Sequence, residues 1–391
     1  MGWDRQKPFV MQQPTPPAVG RWLLAAVLIA IVCVLLFSLH AANRLSILQS
    51  INIWLLSFAP LVSWGLVFCV RGYLYGRALS HYEFLQDEAQ YAQQEWQAWA
   101  DRYMAVLASC VLLPDAITVL FLASEPKDLQ VQNSLVRRID YLPDDEDPEY
   151  PAIRALLASI DTALNALPAE RELRVTVLTD AEPERYAALQ ETFAQCWESI
   201  VLTRPAPATL SLTDEMPYGQ LESRLKNATA DAELILVLQL QGGEEYSDGL
   251  AVLLLVTDDV ARTCQLAETG RLLRPMPLNV PQADSELALF MTTQSLACRA
   301  GGILGDSQQL MSLTPSIIPI GNAAGANFSA SSVQIQEEWT GRPGPFSAWL
   351  VAALGLDFAR YHGVPYVVFS LTPGCEVVST VSPGVRNEDV E

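Results

Sequence analysis

"WTGRPGPFSAWLVAALGLDFARYHGVPYVVFSL", residues 339–371, decides how most of the chain is read. Gly341, Pro343, Gly344 and Pro345 make a loop, because proline lacks the N–H that a helix or strand interior needs. Residues 346–361 carry apolar side chains at helical spacing, and Gly363 sits where such a helix should stop. Residues 364–371 are a β-branched and aromatic run with the length of a buried strand. The stretch reads as loop, helix and strand, which is one αβ unit.

Outward from it, the unit recurs. Helices are expected at 152–167, 183–198, 217–229 and 284–300. Strands are expected at 116–123, 172–179, near 199–203, at 233–240, 250–257, 316–320 and 375–381. Nearly continuous apolar strands alternating with amphipathic helices indicate a layered α/β domain over 114–391. That length is enough for one large core or for two fused halves.

The N-terminal part is of another kind. Residues 1–20 are polar and Pro-rich, the composition of a disordered tail. Trp22 to Leu39 runs eighteen residues without a charge, and Ile51 to Val70 runs twenty more. A helix needs roughly 20 apolar residues to cross a bilayer, so 21–72 reads as a transmembrane hairpin, with Trp22, Trp54, Tyr73 and Tyr75 at its ends. A cleaved signal peptide would also suit the small residues at 40–42, but this run is longer than a signal core and a second span follows at once. Arg5, Lys7 and Arg21 precede the first span and Arg71 and Arg77 follow the second, against Arg44 alone between them. The positive-inside bias puts both termini of these two spans in the cytoplasm and the short loop outside. Neither span holds an Asp, Glu, Lys, Arg or His, as expected of an anchor rather than a transporter.

Beyond the spans, Tyr82, Leu85, Ala89, Ala92, Trp96, Trp99, Tyr103, Val106 and Cys110 alternate at steps of three and four, with no Gly or Pro between them. Such a 3.5-residue repeat gives a long helix one apolar seam. The helix is expected to fill 73–113 as a stalk and to end at Pro114. Its seam either pairs two protomers as a coiled coil, giving a homodimer, or lies on the chain's own domain.

Chemistry-bearing residues are sparse. A net charge of −20 argues against nucleic acid or anionic headgroups as partners of a basic face. The seven cysteines form no C-x-x-C pair and no zinc spacing, a pattern of reduced cytosolic thiols. Of three histidines only His362 falls in the α/β domain, at a helix end where it can cap a carbonyl. A catalytic dyad would have to join it to Cys298 or Cys264. The Gly-rich stretches at 298–306, 320–329 and 341–345 read as turns, since none continues as a phosphate loop. The acidic run 140–151 and the pairs Glu244-Glu245 and Asp258-Asp259 read as solvated, without metal-ligand spacing. No cofactor or metal is expected.

Residues 244–275, "EEYSDGLAVLLLVTDDVARTCQLAETGRLLRP", and 345–371 resemble the Gly-led buried strand and the closing helix–strand pair of the thiolase-like fold of ketosynthases. The resemblance implies that fold for the soluble domain. Enzymes of that family use a nucleophilic cysteine with two histidines, or with one histidine and a second cysteine or asparagine. A single domain histidine excludes the two-histidine type, so the kinship implies a domain without that activity. The whole layout of hairpin, stalk and acidic α/β domain also resembles uncharacterised inner-membrane accessory proteins of type VI secretion systems.

Together these readings lead to a non-enzymatic, membrane-anchored adaptor that presents its α/β domain to a cytoplasmic protein partner, such as secretion machinery or an effector. Two alternatives stand beside it. One is a Cys-dependent acyl-processing enzyme or hydrolase using Cys298 or Cys264 with His362. The other is an immunity-type inner-membrane protein whose binding face would lie in the periplasm.

Overall fold

The computed structural model describes residue 3 and residues 11–42, 52–123, 135–143, 147–168, 171–226, 231–372, 374 and 376–384. Arg5, Lys7, Arg44 and Cys375 lie outside the described residues. The chain divides into two compact units, Gln6–Glu95 and a larger one of Met1–Arg5 with Trp96–Glu391.

The smaller unit is helical. Helix α1 (Val19–Ala41) and helix α2 (Ile53–Ala100) are each long and apolar enough to cross a membrane, with mean hydropathy of 3.0 and 2.0 over their most apolar windows. No residue of α1 is buried in the protein, so its leucines, valines and isoleucines need a non-aqueous surrounding. Trp22 packs on Trp64 and Phe68 while Phe37 packs on Trp54, the pairing of an antiparallel hairpin. Pro60 lies inside α2 without ending it.

The stalk helix is shorter than the heptad pattern suggests. It ends at Ala100, and Tyr103, Val106 and Cys110 belong instead to strand β1 (Tyr103–Leu112). Strand pairing on both edges overrides helical spacing here. Pro114 opens a 3-10 turn after the strand rather than closing a helix.

In the larger unit, β1 is followed by β2 (Leu173–Thr179), β3 (Thr209–Thr213), β4 (Ala232–Gln239), β5 (Gly249–Thr257), β6 (Gly270–Leu273), β7 (Met276–Pro277), β8 (Gly302–Gly305), β9 (Val333–Ile335), β10 (Tyr366–Ser370) and β11 (Val377–Pro383). The helices of this unit are α3 (Val119–Ala123), α4 (Glu149–Ala166), α5 (Tyr186–Ile200), α6 (Leu221–Lys226), α7 (Asp258–Thr263), α8 (Ala283–Thr293), α9 (Leu310–Ala324), α10 (Glu337–Thr340) and α11 (Ser347–His362). The strands form one sheet in the order β3-β2-β4-β5-β1-β6-β11-β10-β8-β9, with β7 paired on β11.

Cut between β1 and β6, the sheet shows one plan twice. In each half the second strand lies between the third and the fourth and is parallel to both, while the fifth is antiparallel to the fourth and to the first. The larger unit is therefore two fused halves, joined where β1 pairs antiparallel with β6 from Tyr103↔Leu273 to Val106↔Gly270.

Alternation along the strands sends side chains to different cores. Leu234, Leu236 and Leu238 of β4 meet α4 and α5 on one face, and Ile235 and Val237 point to the other. Val367 and Phe369 of β10 meet α8 and α9, and Tyr366 and Val368 point back. The inner faces of both halves close on α11 and α6, which makes a helix–sheet–helix–sheet–helix sandwich. Close approach of α11 to the sheet needs glycine: a Cβ on Gly355 would stand 2.8 Å from Val368 Cγ2.

Several sequence expectations change. Residues 116–123 end a turn and form α3 rather than a strand. The strand expected near 199–203 lies at β3, after a longer connection. Residues 316–320 lie inside α9 despite Pro315 and Pro319. Both prolines fall on the exposed side with Met311, four residues apart, so water can serve the carbonyls they leave unbonded. Of the stretches read as turns, 298–306 contains β8 and 320–324 finishes α9.

Candidate functional site

In open α/β sheets, ligands bind outside the carboxyl ends of parallel strands. The two halves bring those ends toward the loops that enter α6 and α11, so any site of that kind belongs there. Each half sets an aspartate directly after its second strand. Asp180 follows β2 and accepts N–H bonds from Leu240 (3.1 Å) and Gln241 (2.8 Å), just past β4. The Tyr246 hydroxyl also donates to it at 3.1 Å, and burial together with this carboxylate pushes the phenol well above its ordinary range. Asp306 follows β8 and accepts the N–H of Leu371, just past β10, at 2.9 Å.

The second aspartate has the denser shell. Asp306 is 1% exposed. Hydroxyls of Ser347, Ser370 and Thr372 donate to its Oδ2 at 2.9, 2.7 and 2.9 Å. Ser347 opens α11, so this carboxylate also faces the positive end of a helix dipole. This carboxylate ties the ends of β8 and β10 to the start of α11. It is a latch between strand ends.

Between the two latches the junction is filled. Gln239, the last residue of β4, donates through Nε2 to Ser247 O (2.7 Å) and accepts Phe346 N–H (3.1 Å). Gly344 lies so close that a Cβ would stand 2.5 Å from Gln239 Cδ. Arg342 donates its N–H to Leu135 O and its carbonyl accepts Ser247 N–H, so the loop 341–345 is stitched to both flanking segments. Trp349 of α11 donates through Nε1 to Met216 O at 2.8 Å, and Tyr218 meets its ring edge-to-face at 5.0 Å. Both rings are buried, and burial pushes the Tyr218 phenol up to about 12.

The residues singled out in the sequence do not converge. Cys298 donates to Met291 O at 2.7 Å, and burial raises its thiol. Cys264 accepts Arg171 Nη2 at 3.0 Å. His362 lies at the end of α11 with Nδ1 at 3.1 Å from both Phe358 O and the Tyr366 hydroxyl. No hydrogen bond or ring contact joins any two of the three. Among the described residues no group of three or more His, Cys, Asp or Glu side chains could hold a metal ion.

Two acidic features are more structural than solvated. Glu149, from the acidic run, starts α4 at 1% exposure and bonds Arg185 (2.9 Å) and Gln241 (3.0 Å). Asp258 and Asp259 are held by Arg102 Nη2 at 2.7 and 2.6 Å and by Arg262 at 3.3 and 3.1 Å. These four line a groove of about 420 Å³ with Ala98, Asp101 and Tyr103. Two of its three aspartates are paired with its two arginines, which leaves little free charge for a ligand. Neither aspartate latch was singled out from the sequence, although Leu-Thr-Asp at 178–180 and Leu-Gly-Asp at 304–306 each end an apolar run in the same way.

No family model matches the chain. No curated protein matches it either. Among solved structures, the chain is similar to an oxazolomycin ketosynthase domain of Streptomyces albus at 11% identity, covering 72% of this chain and 95% of that one with a TM-score of 0.47. It is also similar to 3-oxoacyl-(acyl carrier protein) synthase III of Pseudomonas aeruginosa, at 14% identity over 73% of this chain and 99% of that one, TM-score 0.43. A third is the peroxisomal 3-ketoacyl-CoA thiolase of Saccharomyces cerevisiae, described as five-layered and built from two core domains of identical topology, at 11% identity over 72% and 98%, TM-score 0.45.

Proposed function

We propose that this protein is a non-enzymatic adaptor, anchored in a bacterial inner membrane by the α1–α2 hairpin with both termini in the cytoplasm. The soluble domain is a thiolase-like frame whose crevice has been closed. The observation that carries this reading is the filled junction: Trp349, Tyr218 and Gln239 occupy the place where the fold would hold a ligand. The scattered positions of Cys298, Cys264 and His362 agree with it. The partner is a cytoplasmic protein, and the layout favours secretion machinery of the type VI class or its effectors.

The test is purification of the tagged full-length protein from mildly solubilised native membranes, with quantitative mass spectrometry of what accompanies it. A stoichiometric protein partner is the expected result. Recovery of the protein alone would overturn the adaptor reading. A thiol probe addresses the enzymatic alternative. Burial raises Cys110 and Cys298 and pushes Cys196 up to about 11, so these three should label slowly. Rapid labelling of Cys264 alone, beside Arg171, would favour the enzyme.

A further inference from the structure

The tail read from its composition as disordered holds one residue that is not loose. Trp3 is 7% exposed and belongs to the core cluster that includes Phe290, Leu287 and Met291 of α8. Its indole meets the Trp99 ring edge-to-face at 5.3 Å and lies 5.6 Å from Phe290. Its Nε1 donates to Pro275 O at 3.2 Å. Shape, ring geometry and the one polar atom are all satisfied, as a buried tryptophan requires.

The walls of this slot are braced independently of Trp3. The Arg274 guanidinium lies 4.0 Å over the Trp99 ring, and its Nε donates to Trp99 O at 3.0 Å. Gln294 Nε2 donates to both Ala100 O (3.0 Å) and Arg274 O (3.1 Å), which ties the end of α2 to the segment after β6. Trp96 adds an edge-to-face contact on Trp99 at 5.1 Å. The occupant differs from its walls. Residues 11–18, between it and α1, carry no regular structure and include Pro14, Pro16 and Pro17. A braced aromatic slot filled from a Pro-rich tail has the build of a docking site with a tethered ligand.

We propose that the slot of Trp99, Pro275 and Phe290 is a docking site for the chain's own N-terminus, and that Trp3 straps that terminus to the soluble domain within one molecule. The strap has a topological consequence, given that α1 and α2 both cross the bilayer. Trp3 and the soluble domain must then share one side of the membrane, which an even number of crossings permits. The positive-inside bias reaches the same arrangement from different residues. The strap does not depend on what the domain binds, so its failure would leave the adaptor reading untouched.

The test replaces Trp3 with the photo-crosslinker p-benzoylphenylalanine in the full-length protein and irradiates intact membranes. The expected product is an adduct at monomer mass to the segment carrying Pro275 and Phe290. The same probe at the exposed Gln13 should give far less of it. No such adduct, equal yield from both positions, or an adduct to a second copy or another protein would overturn the cis strap. A second readout covers a probe that disturbs docking. Tryptic cleavage after Arg5 in Trp3→Ala should be about tenfold faster than in the parent protein, because cleavage follows local opening. An unchanged rate would also overturn the proposal.

Discussion

The two halves of the soluble domain share a strand plan and differ in what they put at its centre. The first half ends its parallel strands on Asp180, half-exposed and held by two backbone N–H groups and one phenol. The second ends on Asp306, buried and held by three hydroxyls and one N–H. The inner helix of the first half is α6, of six residues, and that of the second is α11, of sixteen. Twelve residues of α11 are buried, and it packs against strands of both halves. The same plan thus supports a light half and a heavy half. Both halves close the crevice: Trp349 comes from the heavy one, and Tyr218 and Gln239 come from the light one.

The largest break should come from Trp349→Ala, which empties the junction and orphans Met216 O. A loss of about 3–5 kcal/mol is expected from the cavity, read as a fall in the thermal midpoint of the solubilised protein. A loss under about 1 kcal/mol would mean the junction is loosely filled, and the closed-crevice argument would fail. Asp306→Ala should follow at about 3 kcal/mol, because it strands several buried donors. Asp180→Ala should cost about 1–2 kcal/mol, since water can reach its donors. Equal losses would show that burial does not separate the two latches.

A pH series sharpens the contrast further. Burial raises the carboxyls of Glu149, Glu233 and Asp248 in the first half, and in the second half that of Asp357. A raised folded-state value means the native state holds the proton more tightly than the unfolded chain. The resulting stability is present at low pH and lost as pH rises through the folded values. The thermal midpoint should therefore rise as pH falls from 7 toward about 5, and Glu149→Gln with Glu233→Gln should flatten that slope more than Asp357→Asn. The smallest effect belongs to His362→Gln. Loss of a helix-end contact should cost under about 1 kcal/mol and leave partner recovery unchanged. A lost partner with intact stability would give His362 a functional role.

Elements with one dominant signal were legible in the sequence. The runs at 233–240 and 250–257 became β4 and β5, and the helix at 346–361 became α11 within a residue. The errors fall where two signals conflict. The seam at Tyr103 and Val106 kept helical spacing into a stretch whose unbroken apolar run suits a strand buried on both edges. Leu310, Leu313, Ile317 and Gly321 have the spacing of a buried helix face, but Pro315 and Pro319 argued louder. The latches were readable only as a repeated strand-then-aspartate pattern. Trp3 carried no local signal at all, since its partners lie at 99, 275 and 290.

The placement of β1 has a consequence for how the protein is made. It is the first strand of the domain to leave the ribosome, yet it sits at the centre of the sheet with β5 on one edge and β6 on the other. Both partners lie well over a hundred residues downstream. At roughly 5–20 residues per second that separation is on the order of 7–30 s of synthesis. For that interval an apolar strand has two open edges. Such a strand invites mispairing and the attention of chaperones. The seam between the halves can close only after translation has passed β6, so the fold's most central element is among the last to be completed.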